Sequence, residues 1–573
     1  MTDLPWLTVL GILPLVGAAL VAALPARLAK AVTLGTSLVV LGATIVMCAA
    51  FDAAGPRFQF VQEHDWIPAF GVQYAVGVDG IALVLVALVA VLVPVVVVAS
   101  WDDVDAAELP AGAALSASGT GTVSTASAGP ATGASGGTAT AVLEAPPVAP
   151  PAGGRGGSRA MGRSGSAPGA GRVRSVKSFF GLLLVLETMM IGVFAATDVF
   201  LFYVFFEAVL IPMYFLIGSY GGPRRSYAAV KFLLYSLVGG LLMLAAVIGL
   251  YVTSAEQGTG TFNFAALTAL EISTPVQIAL FLGFFIAFAI KAPLFPFHTW
   301  LPDSGAEAPV GAAVLLVGVL DKIGTYGFLR YCLPLFPDAS RILAPYVIAL
   351  CVIGILYGAL LAMGQKDMKR LVSYTSVAHF GFIGMGCFAF TTQAQSGAVL
   401  YMVNHGLSTG ALFLVVGFLV VRGRSRNVDD YSGVARVAPV LAGLFLVAGL
   451  SSLALPGLST FVSEFLVLLG TYTRYPVAAV IATVGIVFAA LYVLLLFQRT
   501  MQGTLLERHA RMPDLRGREV LAVAPLVALM LVLGFYPKPM LDVINPAVEA
   551  TLQDVGVSDP APTAADAAAG ENR

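Results

Sequence analysis

Fourteen runs of 18 or more almost wholly apolar residues follow one another along the 573-residue chain. A bilayer's hydrocarbon core is roughly 30 Å thick, and about 20 residues of helix cross it. No water is available there, so each run must satisfy its own backbone by coiling into a helix. The chain therefore reads as an all-α polytopic membrane protein. Composition agrees: 58% of residues are hydrophobic and 11% charged, against roughly 25% charged in soluble domains, and mean hydropathy is +0.89.

The runs occupy 4–24, 31–50, 78–100, 178–196, 199–219, 227–252 and 275–296, then 308–330, 343–363, 371–390, 396–421, 437–472, 476–498 and 520–537. The first has neither a basic leader nor a small-residue cleavage site, so it reads as a retained helix and not a signal peptide. Loops after odd-numbered spans carry 22 Lys and Arg residues, whereas the opposite side carries six, Arg57, Arg330, Arg341, Arg474, Lys538 and Arg573. Because positive loops stay cytoplasmic, both termini are expected outside and the 102–176 loop inside. Within that loop, 50 of the 60 residues from 111 to 170 are Ala, Gly, Ser, Thr or Pro. Such a stretch has little to bury and is expected to be disordered.

A net charge of -1 gives no basic excess for nucleic acid. The cysteines, Cys48, Cys332, Cys351 and Cys387, lack metal-binding or disulfide spacing and are expected to be reduced packing thiols. Neither a dinucleotide fingerprint nor a phosphate loop is present in the sequence. Energy for any transport must come from outside the chain.

The informative residues are ionisable groups well inside spans: Glu187, Glu207, Lys291, Asp321, Lys322, His379, His405 and Glu464. At about 2.5 to 3.5 kcal/mol for each central charge, the six acids and lysines together exceed the roughly 5 to 15 kcal/mol that stabilises a folded protein. They must be paired, hydrated or neutralised. Spread over seven spans, they have the composition of a proton relay. Glu207, Lys291 and Glu464 stand alone among apolar residues and are the strongest candidates, while His379 and His405 equally fit satisfied core histidines. Lys231 is expected to snorkel to the interface. Asp321 adjoins Lys322, and helix neighbours do not face each other, so it is expected to line a wet side or pair elsewhere. His64 and His509 fall between spans. Pro293 and Pro296 after Lys291, and Pro456-Gly457 before Glu464, predict broken helices in spans 7 and 12. A weak repeat relates Phe232, Tyr235, Gly240, Leu242 and Leu244 to Met402, His405, Gly410, Leu412 and Leu414 at an offset of 170 residues. Five helices separate the copies, which would invert one against the other.

These motifs are familiar. LLLVLETMMIGVFAATDVFLFYVFFEAVLIPMYFLIG from Leu182 and KAPLFPFHTWLPDSGAEAP from Lys291 resemble chain M of the bacterial proton-pumping NADH-quinone oxidoreductases. So do GVDGIAL from Gly77, DKIGTYGFLR from Asp321, KDMKRLVSYTSVAHFGFIGMG from Lys366, MVNHGLSTGALFL from Met402 and LPGLSTFVSEF from Leu455. The resemblance implies fourteen helices containing two inverted five-helix repeats with spans 7 and 12 discontinuous. It implies proton-relay roles for Glu207, Lys291, Lys322, His379, His405 and Glu464, with Glu187, Lys231, Asp321 and His298 in support. It implies no redox cofactor or metal in this chain, with NADH, FMN, iron-sulfur clusters and quinone in or at partner subunits. The partners implied are other membrane-arm subunits, especially chains L and N, in a bacterial cytoplasmic membrane.

The expected organisation is a three-helix segment (1–101), the disordered loop (102–176), a first antiporter-like repeat (177–333), a second (334–499), and a last part with a cytoplasmic loop, span 14 and a short outer tail (500–573). Glu464 favours chain M, since chains L and N and the sodium/proton antiporter subunits usually carry lysine there. One departure is Gly305, where the family's PDAHxEAP pattern has histidine, which casts doubt on a proton inlet at that point. Two rival readings remain: a subunit of a multi-subunit sodium/proton antiporter, and a scaffold of the membrane arm.

Overall fold

Apolar length sets the architecture. The computed structural model describes residues 4–102, 175–258 and 260–560. The low-complexity stretch 103–174, with its expected disorder and its Arg155, Arg159, Arg163, Arg172 and Arg174, lies outside the described residues, as does Arg573. Among the described residues, thirteen helices, from Trp6–Ala23 to Gly517–Phe535, are long and apolar enough to cross a membrane. The remaining expected span, 437–472, is a pair of 14-residue helices, Pro439–Ser452 and Ser459–Tyr472. Between them Ala454 and Gly457 take positive φ values of 59° and 92°, which stops the first helix and re-aims the chain.

Span 7 is also broken. Thr274–Lys291 ends before Pro293, a one-turn 3-10 segment covers Phe297–Trp300, and Leu301–Glu307 completes the span. Pro293 has no amide to offer the Ala289 carbonyl, and the Leu294 amide turns to it instead at 2.9 Å. That would orphan the Ile290 carbonyl, which accepts from Trp300 Nε1 at 2.8 Å. The indole thus repairs the ladder across the break.

Spans 3, 8 and 10 are the most enclosed, span 8 (Val310–Leu335) wholly so, while spans 1 and 2 are mostly exposed at their apolar surface. Span 8 contains two π-helical turns, Leu316–Leu320 and Phe328–Cys332. Span 11 (Thr392–Gly423) and the second half of span 12 run antiparallel along one close seam. Asn404 Nδ2 donates to the Ser459 carbonyl at 2.7 Å, Tyr401 meets Glu464, Gly397 lies against Leu466 and Val467, and Gly470 against Ala394. A Cβ on Gly397 would come within 2.8 Å of the Val467 amide nitrogen, so only glycine lets the backbones approach this closely.

Two elements were not foreseen. Residues Gln59–Ile67 (β1) and Val72–Val78 (β2) form an antiparallel hairpin between spans 2 and 3, which places His64 on a strand. Its β2 side is extended by the link between spans 4 and 5, where the Thr197 amide donates to the Ala75 carbonyl at 2.9 Å and Asp198 accepts from the Gln73 amide at 3.2 Å. The expected outer tail is instead a helix, Lys538–Val555, that buries Ile544, Ala547, Val548, Thr551, Leu552 and Val555 along one stripe. Cations from the sparsely charged set of loops fasten it: Arg57 pairs with Asp554 at 2.6 Å, Arg341 donates to the Val555 carbonyl at 3.0 Å, and Arg474 donates to the Ser558 carbonyl. All four cysteines are free thiols.

The Gly397 seam yields a test. Gly397→Leu should force the two helices apart and cost about 1 to 3 kcal/mol or more from overpacking, seen as a marked loss of the protein from membranes on immunoblots. Gly443→Leu, where a side chain would meet open space, should leave the amount unchanged.

Candidate functional site

Among the described residues, three clusters of charged groups hold most of the sequence candidates. In the first, Glu207 lies in the last turn of the helix Val199–Ala208, and span 5 resumes at Leu210. Lys291 closes the first half of span 7 and is fully buried. Its Nζ lies 4.5 Å from the Phe206 ring centroid and 3.5 Å from the Phe206 carbonyl oxygen. The Glu207 carboxylate is within electrostatic range of that ammonium, yet the two form no ion pair among the described residues, and Glu207 Oε1 is buried without a hydrogen-bond partner. The acid and the lysine are held apart with the aromatic face and the carbonyl as substitute for a carboxylate.

The second cluster follows the first π turn of span 8. Lys322 Nζ donates to the Val317 carbonyl and to Asp321 Oδ1 at 3.0 Å, stands in hydrogen-bond contact with His405 Nδ1 at 2.7 Å, and lies 5.2 Å from the Phe380 ring centroid. The pairing of Asp321 with its own neighbour corrects the expectation drawn from ideal helix geometry. Asp321 sits at the junction between the π turn and the helix Lys322–Gly327, where the wider turn changes side-chain directions. A charged Lys322 makes His405 Nδ1 the acceptor, which places the ring proton on Nε2. From there the line continues. His405 and His379 stand edge to face with centroids 5.3 Å apart, His379 and Tyr401 are 5.9 Å apart, and Tyr401 Oη donates to Glu464 Oε2 at 2.6 Å. Every member is buried. Lys322, His405, His379 and Glu464 are thus gathered as one line, whereas no protein hydrogen bond joins Lys291 to Lys322 among the described residues.

The third cluster surrounds the second half of span 7. Asp303 pairs with Lys231 at 2.7 Å and Arg370 at 2.5 Å, and Glu307 with Arg426 at 3.1 Å and Arg224 at 3.7 Å. Lys231 therefore does not simply snorkel; it holds this half-helix. Arg426 also donates to the Ala306 carbonyl and Lys369 to the Ala308 carbonyl, at 2.7 and 2.6 Å, cations placed at a helix C-terminus. Gly305 lies so near Ser373 that a Cβ would collide with its hydroxyl. Sequence reasoning missed Asp303, Glu307, Arg370, Arg426 and Tyr401. The i, i+4 spacing of the two acids was the available signal.

Two supporting candidates lie off the line. His298 is buried beside the Phe295 and Tyr357 rings, and Glu187 is buried with both carboxylate oxygens unpartnered. His509, outside the spans, is buried, stacked on Tyr431 with centroids 5.0 Å apart, and bonded to the Asp430 carbonyl at 2.9 Å. Among the described residues no group of His, Cys, Asp or Glu is arranged to hold a metal ion.

A broken helix thus lies beside Lys291 and another beside Glu464. A family profile described as NADH:quinone oxidoreductase/Mrp antiporter, TM, matches residues 196–489. The NADH-quinone oxidoreductase subunit M of Mycobacterium tuberculosis is 49% identical over 99% of this chain and 97% of its own length. The chain belongs to the subunit M family of NADH-quinone oxidoreductases. A chain of the respiratory complex I from Thermus thermophilus with bound NADH superposes with a TM-score of 0.77 at 29% identity, over 96% of this chain and 100% of its own. The Mrp complex from Dietzia sp. shares the fold, with a TM-score of 0.71 at 21% identity over 95% of this chain and 52% of that one. The subunit M family is thus an antiporter-like membrane family, and the buried clusters are this member's polar interior.

The Lys322 cluster predicts its own sensitivity. Asp321→Ala removes the carboxylate from a buried ammonium, and breaking such a pair costs about 3 to 5 kcal/mol. Assembled complex on native gels should fall sharply, whereas an undiminished yield would mean that Lys322 is held neutral.

Proposed function

We propose that this subunit translocates protons through its buried Glu, Lys and His groups, driven by NADH oxidation and quinone reduction in other subunits. The observation that carries the reading is the line of hydrogen bonds and ring contacts from Lys322 through His405, His379 and Tyr401 to Glu464, in the second half of a broken helix. Such a line can hold protons at several sites inside a medium that forbids free charge. Glu207, held near Lys291 but unpaired with it, would control that lysine: approach of the carboxylate favours the ammonium, and withdrawal releases its proton. Lys322 and the histidines would pass the proton on, and Glu464 would exchange it at the outlet.

In this reading the subunit has no redox chemistry of its own. Flavin, iron-sulfur clusters, NADH and quinone belong to partner subunits, and the neighbours in the membrane arm are the antiporter-like chains L and N. Residues 177–333 and 334–499 act as two inverted units. The chain sits in the bacterial cytoplasmic membrane with both termini on the outer face and the basic loops, including 102–176, in the cytoplasm.

The likeness in fold to an Mrp complex supports a second reading, exchange of protons for sodium. NADH-driven proton uptake by inverted membrane vesicles separates the readings. Lys291→Ala and Glu207→Gln should lower protons moved per electron severalfold while assembled complex and uncoupled quinone reduction persist. An unchanged ratio would refute the relay, and proton movement that requires sodium but no NADH would favour exchange.

A further inference from the structure

Glu464 lies in the second half of span 12, between span 11, which carries Tyr401, and span 13 (Pro476–Met501), which carries Tyr492. Both tyrosines are completely or almost completely buried. Their hydroxyls are in opposite states. Tyr401 Oη is bonded to Glu464 Oε2 at 2.6 Å, whereas the Tyr492 hydroxyl is buried with no hydrogen-bond partner while standing within electrostatic range of the same carboxylate. A buried hydroxyl left bare loses its hydration and regains nothing. A second carboxylate position, turned toward span 13, would satisfy it. His379, 5.9 Å from the Tyr401 ring, also has no well-aligned hydrogen bond on either ring nitrogen, although the Ser452 backbone stands beside it.

We infer that Glu464 moves between two tyrosine hydroxyls, loaded through Tyr401 and unloaded through Tyr492. This rests on the relay proposed above and assigns its last steps. Loading needs one rotation of the His379 ring, or one bridging water, to bring an imidazolium N–H to Tyr401 Oη. That N–H bond breaks as a new O–H bond forms on Tyr401. The original Tyr401 O–H breaks, and its proton forms an O–H bond on Glu464 Oε2. His379 and Glu464 end neutral, Tyr401 ends as it began, and no electrons change hands. The neutral carboxyl has lost the charge that a short bond to Tyr401 stabilised, so it turns to Tyr492. There its O–H bond breaks as a new O–H bond forms on the Tyr492 oxygen, the original Tyr492 O–H breaks, and its proton bonds to a water molecule reaching that hydroxyl, which leaves as hydronium. Tyr492 ends as it began and the carboxylate returns.

Phenylalanine at either position keeps the ring and removes one oxygen. Tyr492→Phe is the sharper variant, because the hydroxyl it removes has no partner to lose and the fold should be unaffected. In vesicles containing the full complex, Tyr492→Phe and Tyr401→Phe should each lower protons moved per electron severalfold, with uncoupled quinone reduction at the parental rate. Coupled turnover should also show a larger slowing in deuterium oxide than the parent, which a merely structural role would not produce. A parental ratio and isotope effect in either variant, with Glu464→Gln impaired, would overturn the two-tyrosine route while leaving the relay intact. A parental ratio in Glu464→Gln itself would overturn the relay and this inference together.

Discussion

Charge inside a hydrocarbon slab is the constraint on which the rest of this structure depends. Each ionisable group on a span must find a partner or be neutralised, and the way each does so separates fastening from function. Arg330 shows the fastening solution: it is buried, pairs with Asp79 at 3.2 Å and lies over the Phe58 and Phe264 rings at 3.9 and 4.6 Å. Asp303 and Glu307, each held by two cations, do the same for the second half of span 7. Lys322 is different. Its partners include a histidine, which can give up or take a proton, and that histidine leads to three further titratable groups.

The helix breaks serve the same constraint. Proline frees backbone carbonyls, which are tolerated at membrane depth only where protein can satisfy them. Trp300 does so for Ile290, and the four charges around Leu301–Glu307 anchor the displaced half-helix. The break in span 12 does something further. It lets Ser459–Tyr472 lie flush against span 11, so that Glu464 reaches Tyr401 and Asn404 reaches the first turn of the half-helix. Structure that looks like damage to a helix is what brings acid, tyrosine and histidine into one row.

The spans and breaks were legible because length, proline position and lone charges are one-dimensional signals. Span 12, apolar over 437–472 in sequence, is two short helices because Pro456-Gly457 lies inside it. Other features were hidden for physical reasons. The Asp321–Lys322 pair needed π-helical geometry that no local pattern announces. Tyr401 and Tyr492 sit in apolar runs where an aromatic ring reads as core, and only the folded chain brings their hydroxyls near the Glu464 carboxylate. The helix Lys538–Val555 is amphipathic rather than apolar, so a search for membrane spans passes over it. The hairpin Gln59–Val78 leaves little trace in the sequence because its strands are short and carry no long apolar run.

The central claim is that Lys322 and Glu464 belong to a single path. A double-mutant cycle on protons moved per electron, using Lys322→Met, Glu464→Gln and the combination in inverted vesicles, tests it directly, because groups acting as one unit are strongly non-additive. The account predicts that the double variant pumps no less than the worse single variant. Losses that multiply would place the two residues on separate paths and contradict it.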